Sequence, residues 1–305
     1  MKQKVALVLG SGGARGVAHI GVIEALEENG FEISSISGSS MGAVIGGLYA
    51  AGKMQEYKEW VTHFDKIDVF KLLDFTLSWQ GIVRGEKVFK EMRRLLGEFN
   101  IEDFAIPFTA VASNIRTQRE VLFSDGNLMD ALRASCAIPT VMTPLYLENE
   151  EIVDGGVLNP IPLNRVKRTA GDILVAVDVN AAIPFEKKVA VTAEEVKQDE
   201  KNKQFLDEFT ARIRKYLPKS YGKEVAITQK KMGYFDLLNR SIDLMQEKMT
   251  SLQMEIIKPE ILVQISRNSC GTFEFYKSNE LVELGKTAFE KSYSQYKNEL
   301  PRAQP

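Results

Sequence analysis

At 305 residues, with 44% hydrophobic and 26% charged side chains and a formal net charge of −2, the chain is long enough for a sizeable core and has a globular composition. Its acidic and basic residues are interspersed, which excludes the basic stripe that nucleic acid or an anionic lipid surface would need. Two cysteines, Cys136 and Cys270, and two histidines, His19 and His63, give neither a disulfide framework nor a metal-ligand cluster; no metal and no cofactor is expected, and the default setting is a reducing cytoplasm.

Residues 4–9 are a continuous apolar run, the mark of a strand buried on both faces of a parallel sheet. The run is too short for a signal peptide, and no stretch approaches the roughly 18 apolar residues of a membrane span, so any membrane contact is expected to be peripheral, at the inner face. A glycine-rich turn follows, Gly10-Ser11-Gly12-Gly13-Ala14-Arg15-Gly16, and then a helix with Ile20, Ile23 and Leu26 at helical spacing, stopped by Asn29-Gly30. Dinucleotide folds also open on a glycine turn. Their fingerprint fails here: counted from Gly10, its third glycine falls on Arg15, and the next strand ends in Gly38-Ser39-Ser40 instead of an acid for the ribose.

That second strand, carrying Ile33 and Ile36, runs into Gly38-Ser39-Ser40-Met41-Gly42 and then through small residues up to Gly52, which predicts a helix packed closely into the core. Strand, sharp turn and helix around Gly-x-Ser-x-Gly make a nucleophile elbow. Gly38 and Gly42 remove side chains that would collide as the chain reverses, leaving the Ser40 hydroxyl at a helix N-terminus, where unpaired N–H groups favour negative charge. The same string can be a plain helix cap; the packed context favours the elbow. These elements form one βαβα unit with parallel strands.

Residues 54–97 read as mainly helical, broken near 78–85, with Trp60, Phe64, Phe70, Phe75 and Trp79 placed to fill the core or to wall an acyl pocket. Strands are predicted over 107–115 and 120–124, and Asp125-Gly126-Asn127 opens a helix through Cys136 that Ala137-Ile138-Pro139 ends. In 151–162 an apolar strand leads into Asp154-Gly155-Gly156 and a proline-rich turn; taken alone, the Asp-Gly pair is a turn that supplies positive φ. Residues 172–180 are another buried strand. From 183 to about 224 the composition turns to Lys, Glu and Gln, an exposed helical insertion or a mobile lid. Over 235–256, Leu238, Ile242, Met245, Met249, Leu252 and Ile256 step by four and three, the stripe most often of a core-facing helix, with membrane insertion or pairing with a partner as the alternative. A strand over 260–266 and a helix over 279–296 follow. The expected organisation is a single domain over 1–305: a catalytic core over about 1–180, the charged helical insertion over about 183–256, and a closing strand and helix over 260–297.

A serine nucleophile needs a base. Neither His19, one turn beyond the glycine loop, nor His63 sits late in the chain, where the Ser, Asp, His order of α/β-hydrolases would put it. A serine and carboxylate pair fits better, since a partly desolvated aspartate gains proton affinity. Asp154, on a turn whose Gly155 and Gly156 allow close approach to another backbone, is the candidate, with His19 as the alternative base. The glycine turn then supplies an oxyanion hole from the N–H groups of Gly12, Gly13 and Ala14.

On these residues the chain resembles the patatin-like phospholipases, of the compact bacterial kind. Three ordered strings carry the resemblance: the glycine loop with Arg15-Gly16, the elbow from Gly38 to Gly42, and Asp154-Gly155-Gly156. Further matches are Ala18-His19-Ile20-Gly21-Val22, Ala134-Ser135-Cys136-Ala137-Ile138-Pro139 and Arg240-Ser241-Ile242-Asp243, while Ser11 departs, since many members carry glycine there. The resemblance implies a three-layer α/β/α fold with a mainly parallel sheet, Ser40 as nucleophile, Asp154 as base, the loop from Gly12 through Gly13 and Ala14 to Arg15 as oxyanion hole, and His19 as a structural residue. It implies hydrolysis of phospholipid or lysophospholipid acyl esters through an acyl-serine, with acyl transfer or an idle lipid-binding site as alternatives. Arg15 is expected in addition to meet a lipid phosphate.

Overall fold

The computed structural model describes residues 2–78, 81–147, 150–185 and 234–299. The first strand, β1 (Gln3–Leu9), is buried from Val5 to Leu9, as its unbroken apolar run requires. The chain continues through one 3₁₀ segment, Gly13–Val17, into α1 (Ala18–Glu28), β2 (Phe31–Ser39) and α2 (Met41–Ala50). Next come α3 (Met54–Thr62) and α4 (Lys66–Leu72), kept apart because Asp65 caps the second helix, accepting from the N–H groups of Ile67 and Asp68 at 2.8 Å each. The break expected near 78–85 is a short hairpin, β3 (Phe75–Ser78) and β4 (Gly81–Val83), ahead of α5 (Glu86–Leu96).

Beyond it lie β5 (Phe108–Asn114), β6 (Arg119–Phe123), α6 (Leu128–Ser135), β7 (Thr140–Met142), β8 (Leu145–Leu147), β9 (Glu150–Asp154) and β10 (Ile173–Ala181). The described elements end with α7 (Tyr234–Ile256), β11 (Ile261–Ser266) and α8 (Ser278–Glu299). Strands β7 and β8 escape a reading of the sequence because three residues are too few to show alternation.

The main sheet runs β11-β10-β1-β2-β5-β9-β8, with β6 on β5, and a second, three-stranded sheet runs β3-β4-β7. From β11 to β5 the main sheet is parallel; β6, β9 and β8 join antiparallel. Val5, Leu7 and Leu9 pack with α1, α2 and α8 into the main core, whereas Ala6, Val8, Leu174 and Ala176 meet Ile161, Leu163, Met254 and Ile257 on the opposite face. The expected three-layer, mainly parallel α/β architecture forms. Contacts divide the chain into one unit of Met1–Phe185 with Ile242–Pro305 and another of Glu186–Ser241. Of the expected charged insertion, residues 186–233 lie outside the described residues. Among the described residues no helix is long and apolar enough to cross a membrane.

Helix α7 corrects one expectation. Its apolar stripe faces the core only in part: Leu238, Ile242 and Met249 are half-buried, whereas Met245 is 57%, Leu252 44% and Ile256 82% exposed. Beside Met254, which packs into the core, the inward face carries Gln246 and Gln253, which donate to the Gly156 carbonyl and to Asn159 Oδ1, each at 3.0 Å. Exposed side chains of this size each forgo part of the about 1.5–3 kcal/mol that full burial contributes. Polar contacts act together with the packing of Met254 on this helix.

Candidate active site

The elbow forms where β2 ends. Ser40 takes φ 54°, ψ −126°, a left-handed conformation that a residue with a Cβ adopts at a cost of about 1–3 kcal/mol. Its surroundings hold it there: the Ser40 N–H donates to Ser135 Oγ at 2.9 Å, and Ser135 Oγ donates to the Val111 carbonyl at 2.6 Å. The N–H groups of Ala43 and Val44 close on the Ser40 carbonyl at 2.9 and 3.1 Å and start α2. Glycine is required at position 42, because a Cβ there would lie 2.1 Å from the Leu9 carbonyl oxygen.

Asp154 ends β9. Strand β5 brings it to the elbow, since Val111 pairs with Ser39 on one neighbour and the next residue, Ala112, pairs with Asp154 on another. Both candidates are buried, Ser40 to 3% and Asp154 to 4% exposure. Asp154 Oδ1 accepts from the Gly156 N–H at 2.7 Å, while Oδ2 is buried with no hydrogen-bond partner. Burial raises the Asp154 carboxyl from 3.8 to about 6, and the nearby Ser40 hydroxyl and the Gly156 N–H pull the other way. The hydroxyl therefore lies within influence of the carboxylate, and no closed hydrogen bond occupies Oδ2. That is the arrangement of a base with an open oxygen.

In the glycine loop, the N–H of Gly10 is bonded to Val177 O at 3.0 Å, that of Ser11 to Pro160 O at 2.8 Å, and that of Ala14 to Thr272 O at 2.9 Å. This removes Ala14 from the expected oxyanion donors, because its N–H is already committed. The N–H groups of Gly12 and Gly13 have no acceptor among the described residues, and Gly13 lines the same cavity as Ser40.

A model of the patatin-like phospholipase family matches residues 7–166, a span that contains the glycine loop, the elbow and the Asp154 turn. The chain belongs to the patatin-like phospholipase family. Its reaction is therefore acyl-ester hydrolysis and its substrate class lipid. An "uncharacterized NTE family protein" of Mycobacterium tuberculosis is 34% identical over 322 residues, covering 93% of this chain and 89% of that one. Two proteins named lysophospholipase nte1 are similar over 59% of this chain and 12% of their own length: that of Neurospora crassa at 31% identity and that of Emericella nidulans at 35%. The solved structure of VipD from Legionella pneumophila overlays with a TM-score of 0.44 at 14% identity, covering 97% of this chain and 67% of that one.

Two basic residues of this patatin-like chain turn out to brace the loop. Arg15 points inward: Nε and Nη2 donate to Asn180 Oδ1 at 3.0 and 2.7 Å, and Nη1 to the Cys270 carbonyl at 2.9 Å, while Asn180 Nδ2 returns to the Ser11 carbonyl at 2.8 Å. With every guanidinium nitrogen engaged, the expected contact with a lipid phosphate gives way to a clamp. Arg15→Met is expected to cost about 2 kcal/mol of stability through lost charge-assisted hydrogen bonds. It should lower phospholipid and neutral-ester turnover by one common factor, read as the ratio of the two rates beside thermal unfolding. His19 is fully buried, donates from Nε2 to the Gly10 carbonyl at 2.9 Å, and is held neutral by burial, which lowers its pKa to about 4.

Sequence reasoning missed Cys136 as a neighbour of the pair. Burial, then the Asp154 charge, push its thiol up, with the Ser40 hydroxyl acting in the opposite direction, so it stays protonated and is a poor competing nucleophile. Its only signal was membership of the 134–139 string. Ser40, Gly13 and Cys136 open on a single slot of about 120 Å³, walled chiefly by apolar side chains of α3, α4, α5 and the turn between the first two, such as Trp60, Phe64, Val69 and Met92. The expected acyl-pocket walls Trp60 and Phe64 are thus beside the site, in an edge-to-face pair at 4.8 Å.

Proposed function

We propose that the protein hydrolyses the acyl ester of phospholipids or lysophospholipids through a Ser40–Asp154 dyad. What carries this reading is the buried, unpartnered Oδ2 of Asp154 beside a serine hydroxyl on a strained elbow. Ser40 Oγ attacks the ester carbonyl carbon and its proton passes to Asp154 Oδ2. The tetrahedral oxyanion accepts from the N–H groups of Gly12 and Gly13, each such donor being worth about 3 kcal/mol in the transition state. Collapse expels the alcohol, which takes the proton from Asp154 and leaves an acyl-serine. Water then attacks the acyl carbon, gives its proton to Asp154, and the fatty acid departs as the proton returns to Ser40. The names of the nte1 relatives favour a substrate with one acyl chain.

The test is intact-mass analysis after a fluorophosphonate probe, alongside release of fatty acid from lysophosphatidylcholine. One adduct on Ser40 with release of fatty acid supports the reading. An unlabelled, inactive wild type sinks it in favour of a lipid-binding site without turnover.

Chain-length preference follows from the slot. Its walls include Ser40, Tyr57, whose hydroxyl meets Met41 Sδ at 3.9 Å, and Val69 of α4. Val69→Trp is expected to shift the ratio of octanoyl to butyryl p-nitrophenyl ester turnover toward the shorter ester by about tenfold, the worth of roughly two methylenes.

A further inference from the structure

We propose that Gln246 is a positioning residue: from the inner face of α7 its amide anchors the carbonyl of Gly156, the residue whose N–H holds Asp154 Oδ1, and so decides which carboxylate oxygen is left open toward Ser40. The inference rests on the dyad reading above and deepens it.

The relay has two short steps. Gln246 Nε2 donates to the Gly156 carbonyl at 3.0 Å, and the Gly156 N–H donates to Asp154 Oδ1 at 2.7 Å. Both hydrogen bonds of the Gly156 backbone are thereby satisfied, one by the helix and one by the carboxylate. Over the same residue three segments meet: a Cβ on Gly156 would lie 2.8 Å from Gln246 Nε2, 2.9 Å from Ser11 Oγ and 3.0 Å from Asp154 Oδ1. The glycine loop, the Asp154 turn and α7 are therefore packed around one point that has no room for a side chain.

A second observation is independent of that contact. Gln253, two helical turns on, faces the same segment and donates to Oδ1 of the fully buried Asn159, whose own N–H closes on the Gly155 carbonyl at 2.8 Å. One polar face of α7 grips the turn at both ends while Met245, Leu252 and Ile256 are turned away from the core. A helix rotated to bury Met245, Leu252 and Ile256 would lose both grips. At these three residues local pattern and observed orientation disagree, and such disagreements are expected at functional sites.

Asp154 is open to this control because no charged side chain among the described residues holds it. Its neighbours are the Ser40 hydroxyl, the Cys136 thiol and the Gly156 N–H, with the buried hydroxyls of Ser11 and Ser39, neither hydrogen-bonded, against the adjoining glycines. Loosening Gly156 frees the carboxylate to rotate and weakens the N–H bond that favours its ionised form.

The experiment compares wild type with Gln246→Met, which keeps the length and removes the donor. Lysophosphatidylcholine turnover is followed from about pH 5 to about pH 9, with thermal unfolding and a carbon-13 NMR titration of the Asp154 carboxyl alongside. The expected result is a kcat lowered about 10- to 100-fold at unchanged KM, with the Asp154 midpoint and the acidic limb of the rate profile both moved up by about half to one pH unit. A variant that loses activity only in proportion to its folded fraction, with an unmoved Asp154 midpoint, overturns the inference and leaves Gln246 as packing. The midpoint is read without turnover. An inactive wild type therefore counts against the hydrolase reading, and the midpoint still decides the role of Gln246.

Discussion

Ser40→Ala is expected to take ester hydrolysis to background, a loss of about 10⁴-fold or more, and to abolish fluorophosphonate labelling. Alanine keeps the Cβ, so the strained φ of 54° and the N–H bond to Ser135 Oγ both survive and the fold is undisturbed. The loss is then chemical: no other nucleophile is ready to substitute, since burial holds the adjacent Cys136 thiol protonated. Circular dichroism identical to wild type, with no label and no turnover, is the expected outcome. Retained labelling at another residue would show that the nucleophile had been misassigned.

Asp154→Asn has two expected effects of opposite sign. Turnover should fall about 10³-fold or more, because an amide cannot accept the Ser40 proton. Stability should rise. The unfolded carboxyl gives up its proton near 3.8 and the folded one near 6, so the folded state binds the proton more tightly. The contribution to stability is fully present below 3.8, falls as pH climbs, and is lost above about 6, where the buried ionised carboxylate costs on the order of 3 kcal/mol. Asparagine keeps an oxygen for the Gly156 N–H and carries no charge, so denaturant midpoints should favour the variant at pH 7 and converge near pH 4. The wild-type kcat/KM should in turn fall below about pH 6, as the base is protonated. Equal midpoints at pH 7 would mean that Asp154 titrates as an ordinary surface acid.

These two residues were legible beforehand for different reasons. Ser40 was marked by steric necessity, since Gly38 and Gly42 on either side announce a sharp reversal, and the 2.1 Å approach that a Cβ at Gly42 would make to Leu9 O is that necessity in space. Asp154 was weaker as a signal, because an Asp-Gly pair is an ordinary turn; the flanking glycines, which allow close approach to another backbone, and the lack of a suitably placed histidine singled it out. Arg15 was misread as a ligand contact because nothing near it in sequence reveals Asn180 or Cys270.

By itself the sequence determined the elements and the candidate groups on them: the buried strand β1, the elbow, the glycine loop and the acid on its glycine turn. These follow from short-range causes, namely side-chain periodicity and the sterics of glycine, which act within a few residues. The tertiary structure alone decided which groups are free to act. Pairing of Val111 with Ser39 and of Ala112 with Asp154 brought the hydroxyl to the carboxylate, Thr272 took the Ala14 N–H and left those of Gly12 and Gly13 without an acceptor among the described residues, and Gln246 of α7 tied the Gly156 carbonyl. Each of these is a hydrogen bond between distant segments, and a hydrogen bond committed elsewhere leaves no trace in the local pattern.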